Sequence, residues 1–438
     1  MTTSQPLSPG QPVSNGGSAG ATFAVIAGGG TGGHLYPGVA VARALMELGH
    51  EQATLRFVGS RRGVEAKTRA LEGFPVTLLP GRGLSRRLSA RSLLANAGAF
   101  AGCLAAVAMA IRSFAHWRPA VVVSLGGYAS LPCVVAAAVW RAPVIVVNVD
   151  AVPGAVNRWA SRVAVACAVS SPAVALPRAV VTGVPVRADM ARVQRGSAER
   201  REARRRLGLP EPAWVVAVSG GSLGSRRINQ ATLELARLWS GRRDVAIRHV
   251  VGRRDWDELR SAARPDGPLV YQQVPYEEDM ASLYAAADVA VQRAGANTVA
   301  ELALAGVPSV LVPLPGSPGD HQGANARALA GAGGAVVVAD GDLDGARLAH
   351  ELDALFAQPE RLAGMGQAAG ALARPAAAAA VARLVEQSAR RRPTPPGTGT
   401  GGGRGPHEAH DHDAGVAGDH ETGGGKAAGG GKANAGAA

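Results

Sequence analysis

The strongest constraint on this chain is a repeated local pattern: a short run of Val, Ile and Ala, then clustered glycines, then a helical stretch. The pattern occurs at Thr22–Ala27, followed by Gly28-Gly29-Gly30-Thr31-Gly32-Gly33-His34 and a predicted helix over Pro37–Leu48. It recurs at Trp214–Ser219, followed by Gly220-Gly221-Ser222-Leu223-Gly224. Short continuous apolar runs suit strands covered on both faces, and a parallel neighbour requires an intervening crossover, usually a helix. Further strands are predicted at Thr54–Val58, Val76–Leu79, Ala120–Ser124, Pro143–Val147, Ala246–Val251, Leu269–Gln272, Val289–Gln292, Ser309–Val312 and Ala335–Val338. Two such α/β series, each opening on a glycine loop, predict two Rossmann-like, doubly wound parallel-sheet domains facing across a cleft.

The reading divides the chain into a Ser/Pro/Gly leader over 1–20, a first domain over 21–186 and a second over 187–365. A helix over 366–390 is expected to return to the first domain, and a Gly/His/Ala-rich tail spans 391–438. Leader and tail lack periodic apolar positions, so neither buries enough surface to offset its ordering entropy, and both are expected to be disordered. The leader has no charged-then-apolar export pattern. In the tail, His407, His410, His412 and His420 raise metal capture, but a solvated low-complexity segment is the simpler reading.

With 4% aromatic residues, the cores must be filled mainly by Ala, Val and Leu. The net charge of +13, carried mostly by arginine, points to phosphate-bearing ligands or an anionic membrane surface. Nucleic acid is disfavoured, since no recognition motif accompanies the basic pairs or the helix-like cluster Arg200–Arg206. Cys103, Cys133 and Cys167 lie in apolar contexts without metal spacing and read as reduced core thiols. The uncharged stretch Leu93–Ile111 approaches the length of a membrane span, yet sits inside a βα pattern and reads as a packed helix. An alternative has Leu93, Leu94, Phe100 and Leu104 form an apolar patch rimmed by Arg82, Arg86, Arg87 and Arg91, suited to an anionic bilayer.

Glycine loops between a strand and a helix bare backbone N–H groups beside a helix N-terminus, which attracts phosphate. A dinucleotide-dependent dehydrogenase would need an acid after the second strand; that strand reads Leu55-Arg56-Phe57-Val58-Gly59-Ser60, with no acid before Glu65. A P-loop is excluded because no Gly-Lys-Ser/Thr follows. A third turn, Gly126-Gly127-Tyr128-Ala129-Ser130, follows the strand at Ala120–Ser124. In Arg293-Ala294-Gly295-Ala296-Asn297-Thr298-Val299-Ala300-Glu301, small residues would admit a diphosphate and the carboxylate could take ribose hydroxyls. Taken singly, Glu301 would be only a favourable helix-start charge.

Taken together and in order, the Gly28–His34 loop, the Gly126–Ser130 turn, Gly220–Asn229, Arg293–Glu301 and Asp320-His321-Gln322 with Asn325 resemble the MurG family. These are the membrane-associated N-acetylglucosaminyltransferases of peptidoglycan synthesis in glycosyltransferase family 28. The resemblance covers Thr22 to about Ser388. It implies a GT-B hexosyltransferase with no cofactor or essential metal, peripheral to the cytoplasmic side of the membrane. Such enzymes transfer GlcNAc, with inversion, from UDP-GlcNAc to the C4 hydroxyl of MurNAc in undecaprenyl-pyrophosphoryl-MurNAc-pentapeptide.

By the same resemblance Arg187, Ser222, Ala296, Thr298, Glu301, His321 and Gln322 would bind the donor, with Thr31, Gly32 and Gly33. Gly30, Tyr128 and Asn157 would serve the acceptor, whose pyrophosphate Thr31 and the loop amides also suit. Asn157 and Asn229 stand at positions associated with function, though either could be a loop-ordering amide. His34 is the first candidate base. Where the family commonly has His-Glu-x-Asn, this chain has Val147-Asn148-Val149-Asp150, which leaves Asp150 as the second candidate. Gly183-Val184-Pro185-Val186-Arg187 likewise departs from the family's Gly-Asn-Pro-Val-Arg. Partners would be the two substrates, an anionic membrane and proteins of wall synthesis or division. The alternatives are a related transferase acting on another lipid or a secondary metabolite, and a non-catalytic UDP-sugar binder.

Overall fold

A computed structural model describes residues 22–29, 32–61, 71–80, 90–211, 213–221, 224–260 and 266–389, with 90–98 described by backbone alone. The first half is a parallel sheet of β1 (Ala24–Gly28), β2 (Leu55–Ser60), β3 (Val76–Leu79), β4 (Val121–Gly126), β5 (Val144–Asn148), β6 (Ala166–Val169) and β7 (Ala179–Val181). Their order is β3-β2-β1-β4-β5-β6-β7. The second half holds β8 (Trp214–Ser219), β9 (Val245–Val250), β10 (Val270–Val274), β11 (Val289–Gln292), β12 (Ser309–Leu311) and β13 (Ala335–Val337). These run β10-β9-β8-β11-β12-β13, again all parallel. Strand order therefore reverses between β1 and β4, and between β8 and β11. Loops leaving the carboxyl ends of strands at such a switch point frame a crevice, which locates the site before any side chain is considered.

Helices cover the sheets: α1 (Gly32–Glu47), α2 (Ala90–Trp117), α3 (Ser130–Val139), α4 (Ala155–Ala160), α5 (Ala188–Ala191), α6 (Ser197–Arg206) and α7 (Arg226–Leu238). After them come α8 (Trp256–Leu259), α9 (Met280–Ala286), α10 (Ala296–Ala305), α11 (His321–Gly331), α12 (Gly345–Phe356), α13 (Pro359–Ala371) and α14 (Ala377–Ser388). Every residue of β1, β4, β5 and β11 is buried, as the continuous apolar runs require. Helix α14 packs on α1, where His50 pairs with Glu386 at 3.0 Å and stacks on Phe23. Where the chain leaves the first sheet, Gly183 holds φ +86°, and a Cβ there would lie 2.5 Å from that of Arg374, just before α14.

Four features differ from the sequence reading. Strands β6 and β7 were not anticipated: Ala166-Cys167-Ala168-Val169 is short and small, and β7 is an edge strand whose three residues are all exposed. Helix α1 begins at Gly32, not Pro37, so His34 lies in its first turn. A proline usually marks a helix start, and this one sits inside. The Arg200–Arg206 cluster is not a single basic face. Arg204 is buried on Asp288 (2.7 Å) and on the carbonyls of Ala213 and Ala286, while Arg200 takes the other Asp288 oxygen. Finally, α2 is only half packed. Ala106, Ala110 and Phe114 are buried, but Phe100 is 60% and Leu104 56% exposed. Its Ala99–Trp117 segment is long and apolar enough to cross a membrane by composition, yet it lies against α3. The leader, the tail, Arg82, Arg86, Arg87 and the side chains of Arg91, Leu93 and Leu94 lie outside the described residues. The cysteines are free; Cys133 and Cys167 are buried, and Cys103 is partly exposed.

Candidate active site

A cavity of about 1080 Å³ opens where the two crevices meet. The first half contributes Gly32, Gly33, His34, Tyr36 and Asp150; the second contributes Arg187, Ala296, Thr298, Glu301, His321 and Gln322. Ten of the sequence-predicted site residues thus line one space. Gly30, Thr31 and Ser222 lie outside the described residues.

On the second-half wall, Gly295 stands at the N-cap of α10 and supplies no side-chain cap, so the N–H groups of the first turn face the cavity unsatisfied by the helix. A helix N-terminus of this kind favours an anion. Across from it, Ser225 caps α7 and is held by Arg293 Nη2 at 2.7 Å. Arg293 also pairs with Asp340 and donates to the Val312 carbonyl, so it braces the Gly220–Ser225 loop. Two buried polar atoms of cavity-lining residues, Gln292 Nε2 and Asn297 Oδ1, meet no protein partner. Native interiors rarely leave such groups unmatched, and here a polar ligand is the natural complement.

Glu301 lies on the same wall. Burial pushes its carboxyl up to about 7, against the opposing pull of Arg187, with Asp189 adding to the rise. The Tyr284 hydroxyl reaches it at 3.4 Å. Gln322 Oε1 accepts from the Leu314 amide (2.9 Å), so its NH₂ is the end available to a ligand. Tyr36 of α1 and Tyr276 of the second half meet hydroxyl to hydroxyl at 3.4 Å, with Arg253 stacked over the Tyr276 ring. Burial, and then that contact, push Tyr36 up to about 12.

On the first-half wall, burial lowers the pKa of His34; Asp150 opposes the shift and His321 reinforces it. The imidazole is thereby kept neutral, as a proton acceptor must be. Asp150 receives His321 Nδ1 at 3.3 Å on Oδ2 and Asn325 Nδ2 at 3.1 Å on Oδ1. Asn148 is buried and donates to the Asp150 carbonyl at 2.7 Å. It closes the turn rather than facing the cavity.

Three predicted residues sit elsewhere. Asn157 is buried and donates to Asn148 Oδ1 at 3.1 Å, so it orders this turn. The Tyr128 hydroxyl donates to the Pro80 carbonyl at 2.9 Å. Asn229 is fully buried in a chain running Gln273–Tyr271–His249–Asn229–Asp255, which supports the second glycine loop from below. Tyr36, Gln292, Tyr284 and Tyr276 were missed. A glutamine ending the otherwise apolar strand Val289-Ala290-Val291-Gln292 was the available signal.

The Gly126–Gly127 turn packs directly against the first loop. Gly127 has φ +76°, and a Cβ there would fall 2.5 Å from the Gly29 carbonyl oxygen and 3.5 Å from His34 Nδ1. Gly127→Ala is therefore expected to lower stability by about 1–3 kcal/mol and to displace His34. Thermal melts and turnover should fall together; an unchanged melt would show that the contact is not tight.

The description "Glycosyltransferase family 28 N-terminal domain" matches residues 24–169, and "Glycosyltransferase family 28 C-terminal domain" matches 215–384. A relative from Desulforudis audaxviator is 37% identical over 83% of this chain and 98% of its own length. One from Alkalilimnicola ehrlichii is 41% identical over 84% and 99%. The chain belongs to glycosyltransferase family 28. Both relatives carry the name UDP-N-acetylglucosamine–N-acetylmuramyl-(pentapeptide) pyrophosphoryl-undecaprenol N-acetylglucosamine transferase. Among solved structures, MurG of Acinetobacter baumannii superposes with a TM-score of 0.66 at 27% identity, covering 84% of this chain and 99% of that one. The kitacinnamycin glycosyltransferase, 17% identical with a TM-score of 0.58 over 84% of this chain and 99% of that one, shows the shared fold alone. Family 28 membership thus accounts for both sheets and for the cleft between them.

Proposed function

We propose that this chain transfers GlcNAc from UDP-GlcNAc to the C4 hydroxyl of MurNAc in undecaprenyl-pyrophosphoryl-MurNAc-pentapeptide, the step that forms the disaccharide lipid of peptidoglycan synthesis. The observation that carries this reading is the opposition, within one cavity, of a neutral His34 beside Asp150 to Glu301 and the bare N-terminus of α10. Glu301 takes the ribose hydroxyls, with Arg187 and Thr298 adding polar contacts. The amides of the glycine loop and of α10 receive the diphosphate. His321 and Gln322 hold the sugar.

In the reaction the acceptor oxygen attacks the anomeric carbon as the bond to UDP breaks on the opposite face, which inverts the configuration. The hydroxyl proton passes to His34, and the bonding pair leaves on the β-phosphate, where the helix N-terminus stabilises it. No metal is assigned a part. The exposed Phe100 and Leu104 of α2 would rest on an anionic membrane at its cytoplasmic face, near the lipid acceptor.

The test is incubation of the full chain with UDP-GlcNAc and a short-chain analogue of the MurNAc lipid. Disaccharide product and free UDP are expected. Tight UDP-GlcNAc binding without disaccharide would overturn the acceptor assignment in favour of another lipid or metabolite. Binding to vesicles rich in anionic lipid at low salt is also expected, and failure to bind them would remove the membrane from the reading.

A further inference from the structure

Asn325 was part of a motif but carried no role of its own, and its surroundings are unusual for a helix residue. It sits in the second turn of α11, one turn beyond His321, so both side chains share a face. The residue is only 5% exposed, and its amide is fully engaged. Nδ2 donates to Asp150 Oδ1 and to the Ala294 carbonyl, each at 3.1 Å, while Oδ1 accepts from the Ala151 amide at 2.8 Å. One planar group thus ties three segments together: the loop after β5 in the first half, the loop between β11 and α10, and α11 itself. With His321 on the other oxygen, the Asp150 carboxylate is held at both oxygens by residues of the second half.

We infer that Asn325 is a positioning residue, a latch through which the seating of the donor-side helix α11 fixes the Asp150 carboxylate beside His34. The consequence is coupling. A shift of α11, whose first residues His321 and Gln322 line the donor side of the cavity, moves the carboxylate that faces the proposed base. Asn325 itself is not among the residues that line the cavity. Its effect runs through Asp150, and the inference rests on the functional reading given above.

The experiment is a double-mutant comparison on the full chain, reading kcat, the KM for UDP-GlcNAc and the melting temperature. Asn325→Ala is expected to lower kcat about twentyfold while KM stays within about threefold, because orientation is lost rather than ground-state binding. In an Asp150→Asn background the same change should cost less than about threefold. Equal losses in the two backgrounds, or wild-type kcat in Asn325→Ala, would overturn the latch. Asn325→Asp keeps the size and the acceptor for Ala151 but sets a carboxylate against Asp150. It should lower both kcat and the melting temperature, and adding Asp150→Asn should then raise both. If Asp150→Asn is harmful in that background too, the latch is wrong. Should the wild-type chain make no disaccharide, the functional reading fails while the melting temperatures still judge the contact.

Discussion

Replacing His34 by Ala should lower kcat about a thousandfold while leaving UDP-GlcNAc affinity within a few-fold of wild type. His34 lies in the first turn of α1, at the switch point between β1 and β4, where the backbone delivers it to the cavity. Burial lowers its pKa from the ordinary 6.5, so the imidazole is neutral and basic at neutral pH. Asp150 acts against that shift, so it favours the imidazolium that forms when the acceptor hydroxyl loses its proton. A base must be unprotonated, so kcat should fall as pH drops through a value below 6.5 and stay level above it. Asp150→Asn removes the opposing charge, which should move that limb to still lower pH and reduce kcat less than His34→Ala does. Stopped-time assays of each variant from pH 5 to 8 decide it. If His34→Ala keeps wild-type turnover while Asp150→Asn is inactive, the carboxylate is the base.

The parts of this molecule that were legible in its sequence are those written locally. An apolar run followed by glycines identifies β1 and β8 and places both switch-point loops, because the run length and the helix that follows leave few alternatives. The same holds for β11 and the small residues opening α10. Strands β6 and β7 escaped because their residues carry no such pattern, and their place depends on a neighbour already being there to pair with. The site divides in the same way. Arg187, Thr298 and Glu301 could be read from motifs, but the clamp on Asp150 could not, since Asn325 is 175 positions away. Asn157 and Asn229 look functional in sequence because loop-ordering amides and ligand-binding amides are the same chemistry. In the structure both are buried and donate to neighbouring groups, Asn157 to Asn148 Oδ1 and Asn229 to the Val251 carbonyl. His321 shows the reverse. A motif residue assigned to the donor sugar also pairs with the opposite wall.

The Glu301 carboxylate is expected to cost stability in return for donor binding, and Glu301→Gln should reveal both effects at once. Burial pushes the carboxyl from an ordinary 4.5 to about 7, although Arg187 and the Tyr284 hydroxyl at 3.4 Å pull the other way. The folded value lies above the unfolded one, so the folded state binds more protons between those limits. Wild-type stability should therefore decline as pH rises from about 4.5 to about 7 and level off above, by on the order of 2–3 kcal/mol. Glutamine carries no charge to desolvate. Glu301→Gln should melt a few degrees higher than wild type at pH 8, with the advantage vanishing near pH 4.5. The same substitution removes a charged acceptor for the ribose hydroxyls, so UDP-GlcNAc should bind about ten- to a hundredfold more weakly at pH 8. In wild type, donor affinity should weaken as pH falls through about 7, the carboxylate being the form that accepts those bonds. Calorimetric titration and melting curves across that range test both limbs. A variant that melts lower than wild type at pH 8, or that keeps wild-type donor affinity there, would mean that Glu301 is held ionised by Arg187 and plays no part in the ribose site.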